Sequence, residues 1–201
     1  TKSNLHVVDV ASGQVTAVTP ADAAVAYGGA AFSADGRGLF VTTDEGSEFQ
    51  RLAYLDLSSK KATPLVDLPM DVDEFELSHD RRTIAFTSDR GGGDNIWVMN
   101  VDGSDKRPLT KEEFRLLNEP SWSPDGQQVV YEKFTWRGWK QNQPLYSWDT
   151  ARAYRYTDVW PAFAKDGMMA LTAKGEDGSV DIMRADGSQR RRVYDVTQQS
   201  G

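Results

Sequence analysis

The chain has 201 residues, 39% hydrophobic and 26% charged, the balance of a folded globular domain. Its formal net charge of −7 argues against nucleic acid as a partner, because phosphate binding needs clustered Lys and Arg. With no cysteine, disulfides and thiolate chemistry are excluded, and no run approaches the roughly 20 apolar residues of a membrane-spanning helix.

From the N-terminus, Thr1-Lys2-Ser3-Asn4 lacks the apolar core of a secretion signal, so the chain is expected to be cytosolic or to have lost such a segment. Residues 4–19 predict two short strands flanking a polar turn at Asp9. A longer unit follows, from about Gly29 to Val66. Within it Phe32-Ser33-Ala34-Asp35-Gly36 reads as strand, tight turn, strand. The aspartate can bond its own backbone, and the glycine accepts the positive φ that a side chain resists. Leu52 to Leu57 forms a later strand.

The unit then recurs. Leu77-Ser78-His79-Asp80-Arg81 opens a second copy, which continues through Ile96 to Asn100, the turn Asp102-Gly103-Ser104 and a closing Pro108-Leu109-Thr110. Trp122-Ser123-Pro124-Asp125-Gly126 opens a third, with Leu145 to Asp149 as its later strand. Phe163-Ala164-Lys165-Asp166-Gly167 opens the fourth, completed by Asp181 to Ser188 and a closing Arg192-Val193-Tyr194. Two copies depart from the pattern. Arg81 stands where glycine belongs, so that turn is expected to avoid positive φ or to be strained, and Ala164 replaces the serine.

The turn aspartates at 35, 80, 125 and 166 lie 45, 45 and 41 residues apart. Self-similarity at that period, in strand-only sequence, predicts an all-β chain built of β-propeller blades. Four full four-stranded blades are expected, at about 29–66, 72–110, 118–156 and 158–196, with an N-terminal half-blade over 4–19. Blades cannot bury both faces alone, so the chain reads as a single propeller domain or a fragment of one. The half-blade offers outer strands only, and the segment from Asp195 to Gly201 follows a closing strand without an inner pair. The sequence therefore predicts a fragment, an arc completed by a second chain, or an engineered assembly, with a symmetric homodimer as the simplest closure of the arc.

The repeat residues also carry a family resemblance. Trp122-Ser123-Pro124-Asp125-Gly126, together with Thr87 through Ser104, resembles the repeat of TolB-type propellers, and the likeness covers most of residues 71–196. Residues 1–86 are more similar to the propeller of the prolyl oligopeptidase family, in Tyr27 to Ser33 and in Ser47 to Tyr54. From Gln143 through Asp158 the chain resembles TolB-like blades attached to amidohydrolase-type enzymes. A change of likeness near Phe86 to Arg90 would fit a chimera of two parents.

Catalytic chemistry finds little support in the residues. There is no Gly-x-Ser-x-Gly elbow, and only His6 and His79 are available where a metal hydrolase needs clustered histidines. Both read as structural or solvent-facing. Asp71, Asp73, Glu74 and Glu76 form one acidic stretch and Glu176, Asp177 and Asp181 another. Neither has the spacing of a calcium loop, so no metal and no cofactor is expected. The basic run Arg190-Arg191-Arg192 reads as a solvated turn and strand edge beside Asp186 and Asp195. One loop, Lys133 to Pro144, is long and aromatic. Its Trp136, Arg137, Trp139 and Lys140 are the candidate protein-contact residues, since Trp and Arg are enriched at interfaces; the alternative is that both tryptophans fold back over the blade edge.

The residues thus point to a non-catalytic scaffold that binds a protein partner or a second copy of itself. The TolB likeness implies protein recognition in a bacterial envelope, and so a periplasmic location. The alternatives are the access-limiting propeller of a prolyl-oligopeptidase-like serine peptidase without its catalytic domain, or an engineered propeller assembly.

Overall fold

Paired strands run antiparallel throughout the described residues, and the resulting sheets follow the repeat. The computed structural model describes residues 2–20, 24–66, 71–88, 94–111, 116–134, 158–173 and 179–195, and among them there are sixteen strands and no helix. β1 (His6–Val8) and β2 (Val15–Ala17) pair as a two-stranded sheet. A four-stranded sheet follows in simple sequence order: β3 (Tyr27–Phe32), β4 (Gly38–Thr43), β5 (Arg51–Asp56) and β6 (Ala62–Pro64). The same order recurs in β7 (Val72–Leu77), β8 (Thr83–Ser88), β9 (Asn95–Asn100) and β10 (Arg107–Pro108). β11 (Leu116–Trp122) pairs with β12 (Val129–Phe134). The later strands expected for this third unit, around 145–149 and up to 156, lie outside the described residues. β13 (Asp158–Phe163), β14 (Met168–Ala173), β15 (Ser179–Arg184) and β16 (Arg191–Asp195) complete another four-stranded meander. All pairings are antiparallel, as expected of propeller blades.

Burial explains why these strands alternate as they do. Successive side chains point to opposite faces of a sheet. Phe40 of β4 joins Leu52, Val66, Val72, Ile84, Phe86 and Met99 in a core between the first and second four-stranded sheets. Its neighbours Leu39 and Val41 point the other way and pack with Val18, Tyr27, Ala53 and Leu55 against the β1–β2 sheet. β8 repeats the device: Ile84 and Phe86 face the first blade, whereas Ala85 joins Val98 and Trp122 at the seam with the third. Every residue of β4 is buried, because this strand is covered on both faces. Each such buried Leu, Ile or Phe contributes about 1.5–3 kcal/mol. The β1–β2 pair is held to the first blade in the same way, with Leu5 and Val7 packed on the shared core and Lys60 Nζ donating to the carbonyl of Ala17 at 3.2 Å.

The opening turn of each unit is fixed by its serine and aspartate. In the first, Ser33 Oγ donates to Asp35 Oδ1 at 2.7 Å, and the amide of Arg37 donates to the same oxygen at 3.1 Å. The serine oxygen in turn accepts from the amide of Gly38 at 3.1 Å. Ser78 with Asp80 and Ser123 with Asp125 repeat the network bond for bond. The serine hydroxyls hold the carboxyls of Asp35, Asp80 and Asp125 below the ordinary aspartate range.

Alanine at 164 is possible because the fourth turn is one residue shorter. Ala164 N donates to Met168 O, four residues on, whereas Ser33, Ser78 and Ser123 reach Gly38, Thr83 and Gln128, five residues on. The amide that would seek a serine oxygen is gone from this turn, and Met168 N donates to Asp166 Oδ1 instead, at 3.1 Å.

The turn after the third strand carries its own signature. Asp102 and Asp186 accept from the amides of Ser104 and Ser188 at 2.9 and 2.8 Å. Asp9 and Asp56 use the longer variant, capturing Ser12 in one case and both Ser58 and Ser59 in the other. The Ser59 amide, followed by the Ser58 and Ser59 hydroxyls, pushes the Asp56 carboxyl down to about 2. Residues 4–19 also share the closing device of a full blade. Thr19 Oγ1 accepts from the amide of Leu5 at 2.8 Å, as Thr110 Oγ1 accepts from that of Ile96 at 3.0 Å.

Arg81 settles one expectation: this turn does not avoid positive φ. Its φ is +56°, close to the +69° of Gly36 and Gly126, so the arginine occupies the left-handed conformation and bears the strain. Its guanidinium donates to the carbonyl of Phe32 in the preceding blade, which offsets part of that strain. At Gly126 an added Cβ would meet nothing within 4 Å, so a side chain there meets only the conformational penalty of about 1–2 kcal/mol. Gly126→Ala is therefore expected to lower stability by about 1 kcal/mol, and Arg81→Gly to raise it by about half that amount. Urea unfolding midpoints at unchanged slope measure both.

Inter-blade seams and candidate contact surface

Each inner strand carries a register shift near its start, between Gly28 and Ala30, Val72 and Phe75, Asn118 and Ser121, and Val159 and Ala162. Such a bulge leaves an amide without a ladder partner. At Gly29 the bulge takes φ +47°, and Phe75 of the next blade packs so closely that an added Cβ would lie 2.9 Å from its ring. In β11 the bulge residue is Glu119, at φ +51°.

The acidic stretch of β7 supplies what that bulge lacks. Glu74 Oε2 accepts from the amide of Glu119 at 2.5 Å, and Glu76 Oε2 from the amide of Trp122 at 2.9 Å. Trp122 Nε1 donates back to the carbonyl of Glu76 at 3.1 Å. On the other side Asp71 Oδ1 accepts from the amide of Gln50 at 2.7 Å, while Gln50 O accepts from Val72 N at 2.8 Å. The stretch that sequence presented as possible metal ligands is thus a set of backbone clamps joining three blades. Burial pushes the Glu76 carboxyl above the ordinary glutamate range, against the smaller opposing effects of Trp122 N–H and the Ser121 hydroxyl.

The second acidic stretch contributes one buried residue, Asp181 on β15. Its carboxylate bonds Arg190 Nε at 2.8 Å and Arg192 Nε at 3.4 Å. Two arginines of the basic run therefore satisfy a buried carboxylate across the β15–β16 pair, which the expectation of a solvated edge missed. The signal was present in the spacing, since a strand-facing Asp nine and eleven residues before the arginines lies opposite them in a hairpin. Glu176 and Asp177 lie outside the described residues. Among the described residues no group of three or more His, Asp or Glu is placed to hold a metal ion. His6 lies in β1 and His79 in the Ser78–Asp80 turn, both exposed.

The candidate contact residues Trp136, Arg137, Trp139 and Lys140 fall outside the described residues. The structure presents another apolar surface, on the β1–β2 sheet. Its packed face carries Leu5, Val7 and Val18, while Val8, Val10 and Val15 stand 56%, 96% and 62% exposed. Val193 and Tyr194 of β16 are also exposed, at 49% and 45%.

These blades have known counterparts. The sequence profile described as the TolB beta propeller domain matches residues 1–200. The chain belongs to this family. Its match runs through both the segment that resembled TolB repeats and the segment that resembled the prolyl oligopeptidase propeller. Among TolB relatives, the Tol-Pal system protein TolB of Francisella tularensis subsp. mediasiatica (strain FSC147) is 26% identical over 132 residues, 63% of this chain and 29% of the relative. The chain thus spans less than a third of the length of that curated relative. TolB from Acinetobacter baumannii superimposes with a TM-score of 0.62 at 13% identity, over 96% of this chain and 49% of that one. A puromycin-hydrolyzing peptidase of Mycobacterium tuberculosis gives 0.67 at 17% identity, over 94% of this chain and 34% of the peptidase. Both structural likenesses show the propeller fold.

Two outcomes follow for this TolB-family chain. A glutamate whose folded pKa is raised binds its proton more tightly folded than unfolded. Its contribution is therefore most favourable below the unfolded value of 4.5 and is lost as pH rises through the folded value. The turn aspartates, with lowered values, act in the opposite sense and lose their contribution as pH falls. Glu76→Gln keeps an acceptor for Trp122 N–H and removes the charge, so its melting temperature relative to the parent should climb as pH rises from acid to neutral. Thermal melts across that range check this. At the other seam, Arg190→Ala with Arg192→Ala strands the Asp181 carboxylate and should destabilise by about 1–3 kcal/mol, more than Asp181→Asn does, by urea titration.

Proposed function

We propose that this TolB-family propeller is a non-catalytic protein-recognition module whose partner is a second copy of itself. The observation that carries the reading is the apolar outer face of the β1–β2 sheet, where Val8 and Val15 are exposed, with Val10 exposed in the adjoining turn, while the opposite face is packed against a blade. In the first and second four-stranded sheets both faces are covered by neighbouring sheets. Covering several such valines removes apolar surface from water at about 25 cal/mol per Å². The described carboxylates Asp35, Asp80, Asp125, Glu74, Glu76 and Asp181 are bonded into turns and seams, which favours a structural use of them over catalysis. The name of its TolB relatives, Tol-Pal system protein, fits a role among other proteins.

A second reading draws on the likeness to the puromycin-hydrolyzing peptidase, of which the chain matches 34%. There the propeller would accompany a peptidase catalytic domain. Light scattering across a dilution series separates the two. The first expects the mass of two 22.3-kDa chains, reduced to one by Val8→Asp with Val15→Lys. A single-chain mass at every concentration overturns the dimer, and peptide hydrolysis by a longer chain that carries these residues would favour the second reading. The aromatic loop offers an independent check. Trp136→Ala with Trp139→Ala should weaken association while leaving the far-UV spectrum unchanged.

A further inference from the structure

The sequence contains six Asp-Gly pairs, at 35–36, 102–103, 125–126, 166–167, 177–178 and 186–187. Asp-Gly is the dipeptide most open to isomerisation, because glycine puts no side chain between its own amide nitrogen and the preceding carboxyl. In the described pairs that carboxyl is anchored, but not equally. Asp35 accepts from the Ser33 hydroxyl at 2.7 Å and from Arg37 N at 3.1 Å. Asp125 accepts from the Ser123 hydroxyl at 2.6 Å and from Gln127 N at 3.0 Å, and Ser123 is itself only 4% exposed. Asp102 accepts from the hydroxyl and the amide of Ser104, at 2.6 and 2.9 Å. Asp186 has the amide of Ser188 at 2.8 Å, with the Ser188 hydroxyl also bonded to it. Asp166 has a single anchor, the amide of Met168 at 3.1 Å, because residue 164 is alanine and the turn is one residue shorter.

We propose that Asp166-Gly167 is a site of spontaneous covalent modification, the place among the described Asp-Gly pairs where isoaspartate forms fastest. A hydroxyl donated to a carboxylate does two things against the reaction. It holds the side-chain torsion that would carry Cγ toward the following nitrogen, and it stabilises the ionised form, which is the poor electrophile. Position 166 has no such hydroxyl donor and is exposed. Gly167 N forms a bond to Asp166 Cγ, the C–O bond to the protonated carboxyl oxygen breaks, and one water leaves as the succinimide closes. A water then adds across either ring carbonyl. Opening at the α-carbonyl leaves the chain running through Cγ, with one extra methylene in the backbone of the hairpin that joins β13 to β14. Electron count and total mass are unchanged. The extra methylene falls where β13 and β14 depend on the pairing of Phe163 with Met169, so the aged form should open the fourth blade first.

The test ages the purified full chain at neutral pH and physiological temperature. Isoaspartate is then labelled with isoaspartyl methyltransferase and a radiolabelled methyl donor, and the label is mapped by peptide. Label at Asp166 should accumulate about 3- to 10-fold faster than at Asp35 or Asp125, the ratio expected from one extra hydrogen bond of ordinary net strength at an exposed site. Ala164→Ser should lower the Asp166 rate toward theirs, and the reciprocal Ser123→Ala should raise the Asp125 rate toward that of Asp166. Equal rates at the three sites in the parent overturn the proposal. So does a folded Ser123→Ala or Ala164→Ser chain, by far-UV spectrum, whose rate at the altered turn does not move.

Discussion

A blade of this chain is a sheet one strand-width thick that must bury both faces at once, and that constraint organises everything else. It falls hardest on the second strand of each unit. β4 sends Phe40 one way and Leu39 and Val41 the other, and β8 divides Ile84 and Phe86 from Ala85 in the same manner. Neither strand could be stable facing water, so neither is stable without both neighbours. Cohesion is therefore a property of seams between sheets rather than of any sheet alone. The packing of Val18 and Leu5 against Leu55 and Ala53 shows the same rule extended to a two-stranded piece.

Apolar burial cannot by itself align one blade on the next, because a hydrophobic seam tolerates sliding. The polar clamps supply that alignment. Glu74 and Glu76 lie two residues apart, hence on one face of β7; Glu74 captures the amide of the bulge residue Glu119 and Glu76 that of Trp122, just past the bulge. Asp71 does the same toward Gln50 on the opposite side. A carboxylate partly removed from water, as at Glu74 and Glu76, is expensive unless it is bonded, and each of these two is bonded to a backbone amide of β11. Those bonds form only in one register. Trp122, which fills the apolar seam and donates its indole N–H to Glu76, joins both kinds of restraint in one residue.

How much of this could be read from the sequence depended on the distance over which each bond acts. Ser33-Ala34-Asp35-Gly36 and its relatives were legible because their hydrogen bonds close within five residues, and the repeat of those turns gave the sheets and their order. The two strands around Asp9 were legible for the same reason. The clamps were not. Asp71, Glu74 and Glu76 showed themselves as a run of carboxylates, and their partners lie 21, 45 and 46 residues away on other sheets. Arg81 was read ambiguously because local chemistry disfavours its φ, while the contact that helps it, with Phe32, lies 49 residues back. The pairing of Asp181 with Arg190 and Arg192 sits between these cases, inside one hairpin but beyond the turn itself. The candidate contact residues of the aromatic loop obey no repeat, so nothing in the period could position them.

The same distinction bears on where such a chain can change without unfolding. A turn network is satisfied internally, so one turn can shorten and lose its serine, as at Ala164, while the sheet that it joins keeps its order. A clamp is shared between sheets, and altering Glu76 or Trp122 disturbs two blades together. Freedom to vary is therefore concentrated in the turns and loops at the rim, while the seams are constrained in pairs. A recognition surface built on this scaffold draws on the first class of position and leaves the second alone. The exposed valines of the β1–β2 sheet are unusual in this respect. They lie beside a sheet whose counterparts in the first two four-stranded sheets are buried at seams, so residue types suited to burial are already in place there.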